Sequence, residues 1–152
     1  MKQDGINRRA FIKCTGKACG AIGLGFVFGT AFLQSCASGL SVLKLSATDG
    51  TVSIPLSQFE QSNYALIRVK DFPFDLGVQK TEQNTFLALV LMCPHANQPL
   101  TKTGSGYFCT MHGSRFAKDG AVVKGPSARG MTALPVELSA DRLLIHTGGF
   151  KY

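Results

Sequence analysis

The chain has 152 residues and a mass of 16.2 kDa, which is enough for one domain and too little for two domains of ordinary size. A content of 45% hydrophobic and 16% charged residues excludes a disordered chain, and a single long uncharged stretch excludes a multi-span membrane protein. The net charge is +7, but residues 1–35 hold five basic residues against one acidic residue, so the composition does not indicate nucleic-acid binding by the folded part.

The first predicted element is an export leader or membrane anchor in residues 1–35. Arg8 and Arg9 are adjacent, and a short basic segment after them leads into an uncharged, glycine-containing stretch at residues 18–43. This pattern resembles a twin-arginine export signal. An ordinary membrane helix, whose cytoplasmic side the same arginines would mark, is the alternative.

A short tether is predicted at residues 36–40. Cys36 ends the segment Leu-Gln-Ser-Cys, which resembles a lipoprotein cleavage box and implies that Cys36 carries lipid. An unmodified cysteine in an uncleaved anchor helix is the alternative. Both interpretations leave the following domain attached to a membrane, facing the periplasm or the outer side of the bacterial cytoplasmic membrane.

Residues 41–152 are predicted to form one mostly β domain, because short apolar runs alternate with turn residues and no long amphipathic helix is visible. The predicted strands are 41–48, 51–56, 64–70, 85–92, 107–110, 121–123, 134–138 and 142–147. Residues 86–92 are apolar without exception, which indicates a core strand covered on both faces. Residues 139–142 are predicted to form a hairpin turn.

Four candidate metal ligands occur in two pairs. Cys93 and His95 form a Cys-x-His pair, Cys109 and His112 form a Cys-x2-His pair, and 13 residues, 96–108, separate the two pairs. Thiolate and imidazole are ligands of iron and of zinc, so the residues alone predict a metal site. A zinc ribbon prefers Cys-x2-Cys knuckles, and Cys-x-His is not such a knuckle.

This spacing, continued by Gly113 and Ser114, resembles the Rieske proteins. The resemblance implies an all-β fold, a Rieske-type antiparallel β sandwich, with a small cluster-binding subdomain inserted at about residues 92–127. It also implies a [2Fe-2S] cofactor, in which Cys93 and Cys109 hold one iron and His95 and His112 hold the other.

The resemblance extends to the surroundings of the cluster. Ser114 stands where the serine of the family donates a hydroxyl hydrogen bond to a cluster sulfur, and Phe116 stands where high-potential members have a tyrosine. Gly125 and Pro126 resemble the loop that covers one side of the cluster. Because phenylalanine has no hydroxyl to donate, a reduction potential below that of tyrosine-bearing relatives is expected, within the range of about −150 to +300 mV.

The respiratory members of the family clamp their two cluster loops with a disulfide. Gln98 and Met111 occupy the corresponding positions in this chain. We therefore expect no disulfide between the loops.

The resemblance implies one-electron transfer, as the iron-sulfur subunit of a membrane quinol-oxidising, cytochrome bc-like complex. Its expected partners are a cytochrome b-like subunit, quinol and a cytochrome c-like acceptor, with no nucleic acid. The alternatives are a periplasmic Rieske electron carrier, the small subunit of another oxidoreductase of the arsenite-oxidase kind, and a zinc-binding structural module. No nucleotide motif or nucleophilic triad occurs in the sequence, so no catalytic residue is assigned and the chain is not expected to catalyse alone.

Overall fold

The computed structural model describes residues 40–152, which belong to one compact unit, Ser38–Tyr152. The predicted export signal at Arg8 and Arg9, the lipidation of Cys36 and the tether up to residue 39 lie outside the described residues. Within the described range, no helix is long and apolar enough to cross a membrane.

The described residues form fourteen short strands and one short 3-10 helix, Leu56–Phe59. The strands are β1 Val42–Leu45, β2 Thr51–Pro55, β3 Tyr64–Val69, β4 Leu76–Lys80, β5 Phe86–Val90, β6 Met92–Cys93, β7 Gln98–Pro99, β8 Thr101–Thr103, β9 Gly106–Phe108, β10 Arg115–Ala117, β11 Val122–Lys124, β12 Ala133–Leu134, β13 Val136–Ser139 and β14 Arg142–His146. The predicted all-β fold is confirmed.

Four sheets organise these strands. A five-stranded sheet has the order β1-β3-β4-β5-β12, and a three-stranded sheet has the order β13-β14-β2. A four-stranded sheet, β11-β10-β9-β8, and a two-stranded sheet, β6-β7, carry the cluster loops. All strand pairs within these sheets are antiparallel except β1 with β3, which run parallel.

Strand β5 separates two hydrophobic clusters. Ala88 and Val90 belong to the main core, whose other members come mostly from the five-stranded and three-stranded sheets. Leu89 and Leu91 belong to a second cluster that includes both Cys93 and Cys109. The prediction of a core strand covered on both faces is confirmed, because alternate side chains of an extended strand point to opposite sides.

The hairpin turn predicted at residues 139–142 is also present, since Ser139 pairs directly with Arg142. Strands β4, β7, β8 and β10, in contrast, are not predicted from the sequence. Strand β4 contains Gly77, which weakens its strand pattern. A Cβ atom at Gly77 would lie 2.6 Å from the hydroxyl oxygen of Tyr64 and 3.1 Å from that of Tyr107, so the packing of two tyrosines requires glycine at this position.

The hydroxyl groups of Tyr64 and Tyr107 are buried beside each other, and within the described residues neither makes a hydrogen bond of ordinary geometry. Burial raises the pKa of both phenols above the ordinary value of 10.0, so both stay neutral in the folded protein. The unfolded chain ionises them as the pH passes about 10, and unfolding then becomes more favourable. The free energy of unfolding of the domain is therefore expected to fall above about pH 10. Below that pH the two neutral phenols should leave it unchanged.

Tyr64→Phe is expected to raise the free energy of unfolding at pH 7 by about 1 kcal/mol, because the variant no longer buries a hydroxyl that lacks a well-formed hydrogen bond. The difference in the free energy of unfolding between the variant and the wild type should grow above about pH 10, because the unfolded wild type has one more phenol to ionise. Urea unfolding at the two pH values measures both effects. Tyr152→Phe is the matched control, since Tyr152 is exposed. A loss of stability in Tyr64→Phe would contradict the prediction.

Candidate metal centre

The first cluster loop, residues 93–98, leaves the buried end of β6. Cys93 is completely buried. Its carbonyl oxygen accepts hydrogen bonds from the backbone amides of Asn97, at 2.9 Å, and Ala96, at 3.3 Å. These bonds close a tight turn, and His95 and Ala96 are exposed within it. The hydrophobic strand therefore anchors the thiol inside while the imidazole reaches the surface.

The second cluster loop, residues 109–114, follows β9 in the same way. Cys109 is completely buried. Its backbone amide donates to the carbonyl oxygen of Ser114 at 2.9 Å, and its carbonyl oxygen accepts from the amide of Gly113 at 3.0 Å. His112 is exposed within this closed loop. Both loops thus bury a cysteine at their base and present a histidine to solvent.

The two thiols are free of disulfides and lie close enough to interact. Burial by itself would raise the pKa of the Cys109 thiol. Hydrogen bonds from the backbone amides of His112 and Met111, together with the Cys93 thiol, outweigh burial, so that the pKa of Cys109 is lowered. A lowered pKa favours the thiolate, which is the form that binds metal.

The two imidazoles form an exposed pair. The ring centroids of His95 and His112 lie 5.0 Å apart, and the ring planes make an angle of 83°. Among residues 40–152, no group of three or more His, Cys, Asp or Glu side chains surrounds one ion-sized point. The ligands present instead an inner pair of thiols and an outer pair of imidazoles, and this donor set fits a two-iron cluster with two ligands on each iron.

Ser114 connects the second cluster loop to the loop at residues 125–128, the proline loop. The Ser114 side chain is completely buried, and its hydroxyl oxygen accepts a hydrogen bond from the backbone amide of Ser127 at 3.0 Å. The hydroxyl of Ser127 donates to the carbonyl oxygen of Arg129 at 2.8 Å. Because the Ser114 oxygen acts as an acceptor here, its proton remains available for donation to a cluster sulfur. Gly125 and Pro126 are exposed at the tip of the proline loop.

Gln98 and Met111 occupy the positions at which respiratory members of the family have their disulfide cysteines. The side-chain amide of Gln98 donates to the carbonyl oxygen of Ala96 at 3.2 Å, within the first loop. The side chain of Met111 is 62% exposed. Hydrogen bonds within each loop, and the bond between Ser127 and Ser114, therefore hold the loops in the described structure.

The Rieske [2Fe-2S] domain family matches residues 53–135, which is more than half of the chain. The chain belongs to the Rieske family. Rieske domains bind a [2Fe-2S] cluster and transfer electrons, so the cofactor predicted from the resemblance is confirmed and a zinc-binding module is set aside. The role of each ligand stays a prediction. The positions of the four residues in the structure agree with it: Cys93, His95, Cys109 and His112.

Solved structures of Rieske proteins share this fold. The crystal structure of the cyanobacterial plasma membrane Rieske protein PetC3 from Synechocystis PCC 6803 is 19% identical, with a TM-score of 0.50, and the match covers 60% of this chain and 93% of that chain. The quaternary ammonium Rieske monooxygenase CntA is 20% identical, with a TM-score of 0.50, and the match covers 64% of this chain but 32% of that chain. No curated protein sequence matches this chain. At these identities the similarity shows the fold.

Two features of the Rieske centre are not predicted from the sequence. The sequence places Ser127 in the proline loop but does not indicate that it binds Ser114. It places Tyr107 in a strand but not in the cluster of side chains around Cys93 and Cys109. A polar residue directly after Gly-Pro is a weak signal for the first feature. His146 lies outside the centre, because it pairs with Thr51 and Glu137 on the three-stranded sheet.

Phe116→Tyr is expected to raise the reduction potential. Phe116 is 2% exposed and packs in the same hydrophobic cluster as Cys93 and Cys109. A new hydroxyl donating to a sulfur would stabilise the reduced state, and one hydrogen bond of about 1 kcal/mol corresponds to about 40 mV for a one-electron couple. Protein-film voltammetry measures the shift, with Phe108→Tyr on the neighbouring strand as control. An unchanged potential in Phe116→Tyr would contradict the prediction.

Proposed function

We propose that this Rieske protein is the iron-sulfur subunit of a membrane quinol-oxidising, cytochrome bc-like complex. The observation that carries the proposal is the exposed imidazole pair of His95 and His112, above two buried thiols. A hydroquinone must approach through its hydroxyl groups, and an exposed imidazole nitrogen is a suitable hydrogen-bond partner for such a hydroxyl. When bound, the [2Fe-2S] cluster supplies one-electron chemistry.

The rest of the chain supports that role in three ways. Cys93 and Cys109 keep the inner ligands away from water, and Ser114 holds the proline loop against the second cluster loop. The leader with Arg8 and Arg9 and the predicted lipid on Cys36 would attach the domain to the outer side of the bacterial cytoplasmic membrane. A cytochrome b-like subunit would then deliver quinol, and a cytochrome c-like protein would accept the electron.

A periplasmic electron carrier, or the small subunit of an arsenite-oxidase-like enzyme, is the second candidate. The observation in its favour is the pair Gln98 and Met111, which stand where respiratory Rieske subunits have their disulfide cysteines. The two candidates share the cluster and the leader and differ in the proteins that bind this chain.

Purification of the full chain from its native membranes in mild detergent separates the two candidates. The proposal predicts that b-type haem purifies with the chain and that the preparation reduces cytochrome c with a quinol. His112→Ala should remove that activity while leaving the haem spectrum unchanged. A chain that purifies without b-type haem, or beside a molybdenum-containing subunit, would contradict the quinol-oxidising proposal and favour the second candidate.

A further inference from the structure

Two cations face each other on neighbouring strands beside the cluster loops. Arg115 of β10 and Lys124 of β11 are directly paired in the antiparallel register, and both are exposed. Among residues 40–152, the ion pairs are Arg68 with Asp75 and His146 with Glu137, so neither cation has an acidic partner. Like charges placed directly opposite each other destabilise a sheet. A protein gains from such an arrangement when an anionic group binds there.

Arg115 also lines an apolar groove of about 430 Å³ in this sheet. Phe108, Ala117 and Val123 contribute its apolar lining, and Val123 is 65% exposed. The guanidinium of Arg115 lies 5.6 Å from the ring centroid of Phe108, which holds it at the groove rather than leaving it free in solvent. The groove therefore combines apolar surface with a positioned positive charge.

The cation pair adjoins both loops that surround the cluster site. Arg115 directly follows Ser114, and Lys124 directly precedes Gly125 of the proline loop. The hydrogen bond from Ser127 to Ser114 joins these two segments. A partner bound at the cation pair would accordingly sit next to the Rieske centre, where an electron leaves or enters.

We infer that the groove lined by Phe108, Arg115, Ala117 and Val123, together with Lys124 paired to Arg115, is a docking face for an acidic electron-transfer protein. The inference rests on the proposed electron-transfer function and adds the chemistry of the partner. Complementary charge increases the rate and specificity of such encounters, and exposed apolar side chains near the centre of a patch supply contact area.

Two other roles could be considered for these cations: protection of the sheet edge and binding to lipid headgroups. Neither explains both cations together with the groove. A lysine on an edge strand discourages strand-to-strand aggregation, and Lys124 lies on the edge strand β11, but Arg115 lies on the inner strand β10. Binding to anionic lipid headgroups is typical of clusters of about four to eight basic residues, whereas this groove has one cation in its lining, Arg115, and a second, Lys124, paired with it. A shaped groove with paired cations suits a protruding acidic segment of a protein.

The test uses the cluster-loaded domain from residue 40 onward, since this range carries both hydrophobic clusters. Its probe is an acidic blue-copper protein in the Cu(II) form. Isothermal titration of the oxidised domain with the copper protein gives the Kd at an ionic strength of about 0.01 M and again at about 0.15 M. Stopped-flow mixing of the pre-reduced domain follows the transfer of one electron, which oxidises the cluster and reduces Cu(II) to Cu(I).

The test variant is Arg115→Glu with Lys124→Glu, and the control is Lys44→Glu with Lys70→Glu, two exposed lysines at the five-stranded sheet with the same change of charge. The test variant should raise the Kd at low ionic strength at least about tenfold, against less than about twofold in the control. The wild-type affinity should also fall with salt. Lys124→Glu alone, at an exposed edge position, should give about a threefold effect and replaces the double variant if that variant loses its cluster.

Three results would contradict the proposed docking face. The first is a Kd that is independent of salt and of both variants, and the second is an equal loss in test and control variants. The third is binding of the wild type, but not of the test variant, to vesicles containing anionic phospholipid without any binding to the copper protein. An unchanged EPR spectrum and reduction potential in the test variant show that electron-transfer capacity is intact, so failure of docking is distinguishable from failure of the proposed function.

Discussion

Replacing Cys109 by serine is expected to abolish binding of the [2Fe-2S] cluster. Cys109 is completely buried, its pKa is lowered by backbone hydrogen bonds, and its sulfur lies beside that of Cys93. A serine hydroxyl stays protonated and is a poor ligand for iron, so the site loses an inner ligand. Removing even an outer partner of a metal ligand costs about 10- to 100-fold in affinity, and loss of a ligand should cost more.

Iron and acid-labile sulfide per chain, together with the EPR spectrum of the dithionite-reduced protein, measure this loss. His112→Ala provides an independent test, because His112 is exposed and its removal should change the free energy of unfolding of the cluster-free protein by less than about 0.5 kcal/mol. Met111→Leu, in the same loop, should retain the cluster. If Cys109→Ser or His112→Ala keeps its full iron content and its rhombic signal, the ligand assignment is wrong.

Gly106→Ala is expected to destabilise the cluster-bearing sheet by about 3 kcal/mol. Gly106 begins β9 and pairs with Ala117 of β10. A Cβ atom at this position would overlap the backbone carbonyl oxygen of Phe116 and would lie 3.0 Å from the carbonyl carbon of Ala117. Because backbone atoms cannot rotate away as a flexible side chain does, the pairing of β9 with β10 has to shift.

Gly104→Ala is the matched control, since a Cβ atom at Gly104 would meet no other atom within 4 Å. Urea unfolding of both variants gives the difference in stability, which should appear in Gly106→Ala and stay within about 0.5 kcal/mol in Gly104→Ala. A displaced β9 would also move Cys109, one residue after the strand, so Gly106→Ala should lose its cluster faster on dilution into a chelator. Equal stability of the two variants would contradict the steric argument.

Local patterns are sufficient to predict several parts of the fold. The apolar run at residues 86–92 identifies the central strand, and residues 139–142 identify the final hairpin. Both predictions succeed because strand periodicity and turn preference depend on only a few neighbouring residues. Strand β4 escapes prediction for the opposite reason. Its Gly77 is explained by Tyr64 and Tyr107, which reach it from other parts of the chain.

The strands of the cluster-bearing subdomain show the same limit. Strand β10 has three residues and β7 has two, and segments this short have no periodicity to recognise. They are strands because the chain folds back on itself: β10 lies between β9 and β11, and β7 pairs with β6 across the first cluster loop. The subdomain is therefore held by pairing partners rather than by its own strand propensity.

The sequence by itself determined the cofactor class, since two cysteines and two histidines at this spacing carry the chemistry of a Rieske centre wherever the chain places them. The tertiary structure decided which ligands are buried and which are exposed, because the burial of Cys93 and Cys109 depends on β5 and on side chains from distant strands. It also decided that Ser127 binds Ser114 and that Arg115 faces Lys124. These contacts join residues 9 to 13 positions apart, and chain reversal between β10 and the proline loop, which no local pattern encodes, brings them together.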